Sequence, residues 1–236
     1  MNSLGTLGFG NHYIEIDVDD EKNYFLCVHS GSRHLGKEIA EFYLTEGQKI
    51  LKKRGENVPY ELTYLKGDLM KNYLSDLEIV QEFAFLNRKI ILEEICKGMK
   101  WKIEEIFNCT HNYVEEKILR KGAISAKSGE VVMIPVNMRD GVIFGRGKDN
   151  LEWNNSAPHG AGRILKRTEV KNNHTLSEFK SAMKGIYSTS ISKETLDESP
   201  FAYRKITDIL PVIGDTVEVE KILKTIYNFK AGSIEK

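Results

Sequence analysis

The sequence is poor in cysteine and has no long hydrophobic run, and each lack excludes a class of protein. Its three cysteines form no CxxC pair and are odd in number, so a disulfide framework is not expected and a reducing compartment suits the chain. The longest notable apolar run, 131–136, has six residues, far below the roughly 18–20 that a membrane-spanning helix needs. Residues 1–5 have neither the basic nor the apolar region of a secretory signal. We therefore predict a cytoplasmic protein that enters no membrane.

The chain also lacks an excess of charge of either sign. Its 236 residues include 34 Lys and Arg, 34 Asp and Glu and 41% hydrophobic residues, the composition of an ordinary globular protein. The balance conceals a basic stretch, 120–171, which holds ten Lys and Arg, five Asp and Glu and seven of the 19 glycines. Exposed backbone N–H groups and guanidinium groups both bind phosphate oxygens, so this stretch is a candidate anion site. A solvated loop region rich in turns is the alternative explanation.

A hairpin is predicted near the N-terminus. Residues 12–18 and 24–29 alternate apolar and polar side chains and are separated by a turn-forming segment. If Val18 lies opposite Asn23, the alternation of side chains places His12 opposite His29 on one face. A shift of one residue in this pairing would separate the two histidines.

Two helices are predicted next, because apolar residues recur at helical spacing over 33–53 and 69–97. The remainder is predicted to combine short elements: strands and glycine-rich loops over 101–164, a helix beginning near His159, helices at about 175–185 and within 198–210, and a strand pair over 216–230. No repeat or low-complexity linker divides the chain. We therefore predict one α+β domain over 1–236, with mixed or antiparallel sheets and flanking helices.

Four of the six histidines sit beside glycine, asparagine or a strand end: His12, His29, His111 and His159. A single histidine is most often a satisfied polar residue. Each of these four, however, has neighbours that can bind an anion or orient a ligand, so together they are candidates for a functional site. His34 and His174 lack such neighbours and are expected at the surface.

Seven motifs follow one another along nearly the whole chain: GTLGFGNHYIEI (5–16), HSGSRHLG (29–36), HNYVEEK (111–117), RKGAISA (120–126), IPVNMRDG (134–141), SAPHGAGR (156–163) and DESPFAYR (197–204). In identity and order they resemble the motif set of the RtcB-type RNA ligases. No single motif is specific, but the ordered set is. The resemblance implies an RtcB-like fold.

The resemblance implies a ligase that uses GTP and Mn²⁺ to join RNA ends in tRNA splicing or RNA repair. It would join a 3′-phosphate, or a 2′,3′-cyclic phosphate after opening it, to a 5′-hydroxyl. His159 would take GMP from GTP as a phosphoramidate and pass it to the RNA 3′-phosphate, and His12, His29 and His111 would bind the metal. Neutral imidazole suits the first role because it is a good nucleophile and a good leaving group. It suits the second because manganese, like zinc and iron, accepts imidazole ligands.

The resemblance also implies contacts to the guanylate and to RNA. Positions that match guanylate-contacting residues of the family are Asn11, Glu15, Asn112, Pro135, Val136, Asn137, Met138, Gly160, Ala161, Gly162 and Lys230. The glycines would let phosphates approach the backbone closely. Candidates for the RNA backbone are Arg33, Arg120, Lys121 and Arg163.

One part of the family pattern is absent. RtcB-type ligases carry an Asp and a Cys of the metal site well before the GNH motif, whereas here that motif begins at Gly10. None of Cys27, Cys96 and Cys109 lies in a comparable motif. We therefore expect an N-terminally truncated, partial ligase domain. Its partners would be RNA with 3′-phosphate and 5′-hydroxyl ends, and an N-terminal fragment or an activating protein.

Two other functional classes stay open. A non-catalytic RNA- or nucleotide-binding fragment needs only the basic, glycine-rich stretch. A metal-dependent phosphodiesterase needs only the three histidines and a water molecule. Covalent retention of GMP separates these classes, because only a ligase-type His159 keeps the nucleotide after denaturation.

Overall fold

The computed structural model of the chain describes residues 3–231. These residues form two compact units. The first unit comprises the N-terminal residues as far as Thr6 together with Ser30–Ile95, and the second comprises Leu7–His29 together with the residues from Cys96 onward. The single domain expected over 1–236 stays a prediction.

The first unit is helical. Its elements are α1 (His34–Lys53), a 3-10 turn at Tyr60–Leu62 and α2 (Gly67–Met99), whose last turn belongs to the second unit. Both helices are confirmed to within two residues of the ends that apolar spacing predicts. None of the helices in the described part of the chain is long and apolar enough to cross a membrane.

The second unit is built mainly from antiparallel strands. Numbered in chain order, they are β1 (Tyr13–Val18), β2 (Tyr24–His29), β3 (Asn112–Glu115), β4 (Ile118–Lys121), β5 (Ala123–Ser125), β6 (Val131–Asn137), β7 (Gly141–Gly147), β8 (Ser156–Pro158) and β9 (Val217–Phe229). Five of them form one sheet in the order β2-β1-β9-β7-β6, whereas β3 pairs with β4 and β5 with β8. All these pairings are antiparallel.

Short helices complete the second unit. They are α3 (Arg167–Asn173), α4 (Leu176–Ala182) and α5 (Ile206–Ile213), with 3-10 turns at Leu151–Trp153, Leu196–Glu198 and Pro200–Ala202. Strand β6 alternates buried and half-buried residues, and its buried side chains share the main core with Ile209 and Ile213 of α5. The predicted α+β class is confirmed.

The β1–β2 hairpin forms as expected, but its register differs by one residue from the prediction. Val18 pairs with Tyr24, and Tyr13 pairs with His29. The predicted pairings of Val18 with Asn23 and of His12 with His29 are therefore wrong.

The turn explains this register. The Asp19 N–H donates to the Asn23 carbonyl (3.1 Å), and the Asp19 carboxylate accepts the backbone N–H groups of Glu21 (3.0 Å) and Asn23 (2.9 Å). Lys22 adopts a φ of 70° and closes a three-residue loop, a common hairpin connection. Asp19 thus pairs with Asn23, and every following pair moves by one position.

Two predicted elements of the second half are also wrong. No helix begins at His159: residues 159–166 form a loop whose Ala161 and Ile164 N–H groups donate to carbonyls of other segments, so they are not available to a helix. The end of the chain is one long strand, β9, and not a strand pair. Its first half pairs with β7 and its second half with β1, so two partners stabilise it without an internal turn.

Candidate nucleotidyl-transfer site

The four candidate histidines form a continuous row of ring contacts in the second unit. Ring centroids are 5.8 Å apart for His12 and His29, 5.5 Å for His29 and His111, and 4.7 Å for His111 and His159. Each histidine lies at a strand end: before β1, at the end of β2, before β3 and after β8. His12 is close to His29 although the two residues are not paired. His12 precedes the first paired residue of β1, so the alternation of side chains along the strand does not determine which way its ring lies.

The three histidines predicted to bind a metal, His12, His29 and His111, are of a suitable residue type, and their rings lie close to one another. Neutral imidazole accepts Mn²⁺, Zn²⁺ or Fe²⁺. The rings of His29 and His111 nevertheless lie parallel, with 5° between their planes, so their faces and not their nitrogens oppose each other. Within residues 3–231, no three His, Cys, Asp or Glu side chains are arranged to hold a metal ion. The donor types and the closeness of the three rings fit a divalent cation, and binding one would require the imidazoles to turn from the orientations they have here.

His159 is held by a short β ladder and by one backbone carbonyl. Ala123 of β5 pairs with Pro158 of β8, so the preceding Gly122 lies beside His159. The Nδ1 atom of His159 is 2.5 Å from the Gly122 carbonyl oxygen. The Gly122 N–H in turn donates to the His111 carbonyl (2.8 Å) and to Asn112 Oδ1 (3.1 Å). His111 and Asn112, both predicted site residues, therefore hold Gly122 in place, and the Gly122 carbonyl contacts His159.

This carbonyl determines which nitrogen of His159 is free. A carbonyl oxygen can only accept, so Nδ1 carries the proton in the neutral ring. Nε2 is then unprotonated and keeps its lone pair. The site thus presents an imidazole in the tautomer that a nucleophile at Nε2 requires.

A side chain at Gly122 is expected to disturb His159. Gly122 has a φ of +69°, and a Cβ there would lie 3.3 Å from Cε1 and 3.4 Å from Nδ1 of His159. We expect Gly122→Ala to displace the imidazole and weaken its bond to the carbonyl. Two-dimensional NMR of ¹⁵N-labelled histidine should show a mixture of ring tautomers in place of the Nδ1–H form.

Gly129→Ala is the matched control. Gly129 has a φ of +75° with no atom within 4 Å of its Cβ position, so both variants incur the roughly 1–2 kcal/mol of the left-handed conformation and only one touches His159. Identical His159 signals in the two variants would show that the Gly122 contact does not control the tautomer.

The loop after His159 lies against the end of β6. The Ala161 N–H donates to the Pro135 carbonyl (3.0 Å), and a Cβ on Gly160 would be 3.3 Å from the same oxygen. Gly162 is exposed and has a φ of +74°. The structure therefore brings the predicted guanylate positions 135 and 160–162 together around one backbone contact.

The side chains of the other predicted guanylate positions near the end of β6 pack in the core or close a turn. Val136 and Met138 are buried in separate core clusters. Asn137 closes a turn: its Oδ1 accepts the N–H groups of Arg139 (3.0 Å) and Asp140 (3.1 Å), and its Nδ2 donates to Asp140 (2.8 Å). Any guanylate contact in this segment would be made by its backbone or by Pro135.

Glu15 lies on β1, and Lys230 directly follows the neighbouring strand β9. Glu15 is buried and accepts a hydrogen bond from Asn228 Nδ2. Burial raises the pKa of its carboxyl well above the usual value, and the nearby Asp17 carboxyl raises it further. Lys230 is also buried, and its Nζ lies 5.4 Å from the centroid of the Tyr13 ring. Asn11, by contrast, is exposed in the turn before β1.

The four basic residues predicted to contact RNA differ in position. Arg33 lies in the first unit, at the N-cap of α1, and Lys121 is exposed at the end of β4. Arg120 is 2% exposed and donates to Glu115 (2.8 Å), among other groups. Arg163 donates to the carbonyls of Leu165 and Asp197 and to two side chains. The buried position of Arg120 does not suit an RNA contact.

Sequence reasoning missed two residues of this site. Tyr13 stacks on His29, with 5.4 Å between ring centroids and 4° between planes, and thereby connects Lys230 to the histidine row. Gly122 supplies the carbonyl that contacts His159. Tyr13 lies in the motif at 5–16 and Gly122 in the motif at 120–126. The role of Tyr13 depends on the hairpin register and that of Gly122 on its backbone carbonyl, and no pattern of side chains reveals either.

Curated relatives are RNA ligases of bacteria and archaea. The chain is 32% identical over 246 residues to the RNA-splicing ligase RtcB of Escherichia coli K12, and 31% identical over 269 residues to the tRNA-splicing ligase RtcB of Nanoarchaeum equitans. These alignments cover 94% and 89% of the chain, but only 60% and 56% of the relatives. The chain thus spans somewhat more than half the length of these proteins.

A family comparison covers nearly every residue. The family described as tRNA-splicing ligase RtcB matches residues 1–231, a range that includes the four histidines, Gly122 and Lys230. By this match over almost its full length, the chain belongs to the RtcB family.

Proposed function

We propose that this chain carries the nucleotidyl-transfer centre of an RNA ligase that joins a 3′-phosphate or 2′,3′-cyclic phosphate end to a 5′-hydroxyl end through a guanylylated His159. The observation that carries the proposal is the contact between His159 Nδ1 and the Gly122 carbonyl, which leaves Nε2 as a nucleophile. Family membership supports ligase chemistry and does not favour a binding fragment or a phosphodiesterase.

The reaction proceeds in three transfers. His159 Nε2 attacks the α-phosphorus of GTP; a P–N bond forms, the bond to the bridging oxygen breaks and pyrophosphate leaves. A 2′,3′-cyclic phosphate end is first opened by water, which adds to its phosphorus as the bond to the 2′-oxygen breaks, and a 3′-phosphate results. An oxygen of the RNA 3′-phosphate then attacks the same phosphorus of the guanylate on His159, and the P–N bond breaks. Finally the 5′-hydroxyl oxygen attacks the activated 3′-phosphate, losing its proton as GMP leaves. Imidazole serves twice because it is both nucleophile and leaving group.

The surrounding residues would bind and orient the nucleotide. Backbone groups of the loop 160–162 beside Pro135 would lie along the phosphates, while Glu15 and Lys230 would contact the guanylate. Asn112 would act by holding the N–H of Gly122. His12, His29 and His111 would hold a divalent cation, which we propose to be Mn²⁺ and which would reduce the negative charge of the phosphates.

RNA would bind through exposed basic groups. Lys121, exposed next to Gly122, is the candidate that remains. Arg33 is half-buried and lies in the other unit, and Arg163 donates to Glu198, Tyr203 and two carbonyls, so neither is assigned an RNA contact. Arg120 is left out because its guanidinium is buried. Contacts of this kind to phosphates weaken as the salt concentration rises.

Covalent labelling tests this proposal. We expect the purified chain, incubated with Mn²⁺ and GTP labelled at the α-phosphate, to retain label after denaturation, whereas γ-labelled GTP should leave none. The adduct should be lost in acid and stable in alkali, as a phosphoramidate is, and should map to the peptide containing His159. Hydrolysis of a 2′,3′-cyclic phosphate without any adduct would favour a phosphodiesterase, and reversible GTP binding alone would favour a binding fragment.

A further inference from the structure

The motif DESPFAYR (197–204) contains a buried carboxylate with no role in the steps above. Glu198 is 2% exposed. Its carboxylate contacts Lys230 Nζ (3.2 Å), the Tyr203 hydroxyl (2.5 Å), Arg167 (2.5 Å) and Arg163 (3.4 Å). One buried acidic group therefore joins Lys230, which follows β9, to two arginines of the segment 163–167.

We propose that Glu198 is a positioning residue of the nucleotidyl-transfer site, which holds Lys230 charged and in place for the nucleotide and ties it to the loop that carries His159. This inference rests on the proposed function. It assigns Glu198 no contact with substrate, because its oxygens are already occupied by side chains of the chain itself.

Lys230 is held through both its backbone and its side chain. Its backbone N–H donates to Ser190 Oγ (2.8 Å), and its Nζ donates to Glu198. Burial lowers the pKa of the Lys230 ammonium, while the Glu198 carboxylate acts in the opposite direction. Without that carboxylate, burial would favour a neutral amine, which is a weaker partner for an electron-rich oxygen of a nucleotide.

The loop that carries His159 is connected to Glu198 through Arg163. Arg163 follows Gly162 directly, and its guanidinium donates to Glu198, to the Tyr203 hydroxyl (3.3 Å) and to the Asp197 carbonyl (2.6 Å). The backbone of the loop is also held, since the Arg204 N–H donates to the Gly162 carbonyl (3.1 Å). Glu198 thus contacts the side chain that anchors the end of the loop as well as Lys230.

The charge of Glu198 is maintained by its partners. Burial acts to raise the pKa of its carboxyl, but Lys230, Tyr203 and Arg167 together bring the pKa below the usual value. An isosteric amide would keep the volume and lose the charge. Its NH₂ group would also face the Lys230 ammonium or the Arg163 and Arg167 guanidinium groups, none of which can accept a hydrogen bond.

The test compares Glu198→Gln with Glu194→Gln, an exposed glutamate four residues earlier. We expect Glu198→Gln to raise the KM for GTP in self-labelling by roughly tenfold or more, the size expected for a lost hydrogen bond to a charged group, with a smaller change in kcat. Glu194→Gln should match the unmodified chain. Glu198→Asp keeps the charge and should recover most of the loss.

A double-mutant cycle separates positioning from general damage. On a Lys230→Gln background, Glu198→Gln should raise the KM for GTP by much less than it does alone, because the part of its effect that passes through Lys230 is already lost. Independent, additive effects would overturn the proposal, as would a KM in Glu198→Gln equal to that of Glu194→Gln. If Glu198→Gln does not fold, Glu198→Asp is compared with Lys230→Gln: the first should leave the KM for GTP near that of the unmodified chain and the second should raise it, and the reverse would overturn the proposal. Absence of labelling in the unmodified chain would instead contradict the proposed function.

Discussion

Replacement of His159 by alanine is expected to abolish covalent retention of GMP completely. The P–N bond of the adduct needs the Nε2 lone pair, and the Gly122 carbonyl keeps that lone pair available by holding the proton on Nδ1. The alanine side chain offers no nucleophile. Labelling with α-labelled GTP, followed by denaturation and gel electrophoresis, should show no signal above background.

The matched control is His34→Ala. His34 is exposed at the start of α1 and has no place in the proposed chemistry, so its variant should label as the unmodified chain does. Thermal melting of both variants checks that the fold is retained. Label that persists in a folded His159→Ala variant would assign the nucleophile to another residue.

Replacement of Arg120 by methionine is expected to cause the largest loss of stability. The buried Arg120 guanidinium donates to five groups on the β3–β4 hairpin and on the segment before His159: Tyr113, Glu115, Asn154, Asn155 and Ser156. Methionine fills much of the same volume but leaves these five acceptors, which belong to half-buried or exposed residues, without their shared donor. We expect the free energy of unfolding to fall by roughly 2–3 kcal/mol, the size of a lost hydrogen bond to a charged group, because Glu115 is partly exposed and keeps its ion pair with Lys127.

Arg146→Met provides the comparison for this variant. Arg146 pairs with Glu220 at 3.0 Å, with both side chains more than a third exposed, and such surface pairs contribute about 0–1 kcal/mol. Urea unfolding followed by circular dichroism gives both values. Equal, small losses in the two variants would mean that Arg120 is not the structural residue that its burial indicates, and would return it to the RNA-binding candidates.

Local elements of the fold could be predicted because their signals are local. The apolar spacing of 33–53 and 69–97 predicts α1 and α2, and alternation predicts β1 and β2. Prediction failed where the local sequence pattern is compatible with two structures, as it was for the segment after His159 and for residues 216–230. The helix expected at His159 is a loop, because its N–H groups are taken by carbonyls from elsewhere in the chain.

The candidate site shows the same division between residue identity and geometry. The sequence by itself identified His12, His29, His111 and His159 and the family to which their motifs belong, since motif order along a chain survives without knowledge of any contact. The tertiary structure alone decided that the four rings form a row, that Arg120 is internal and that Glu198 joins Lys230 to Arg163. Those facts depend on the exact pairing of β1 with β2, on the position of the Gly122 carbonyl and on charged groups that become buried. All three are fixed only when segments distant in the sequence pack together.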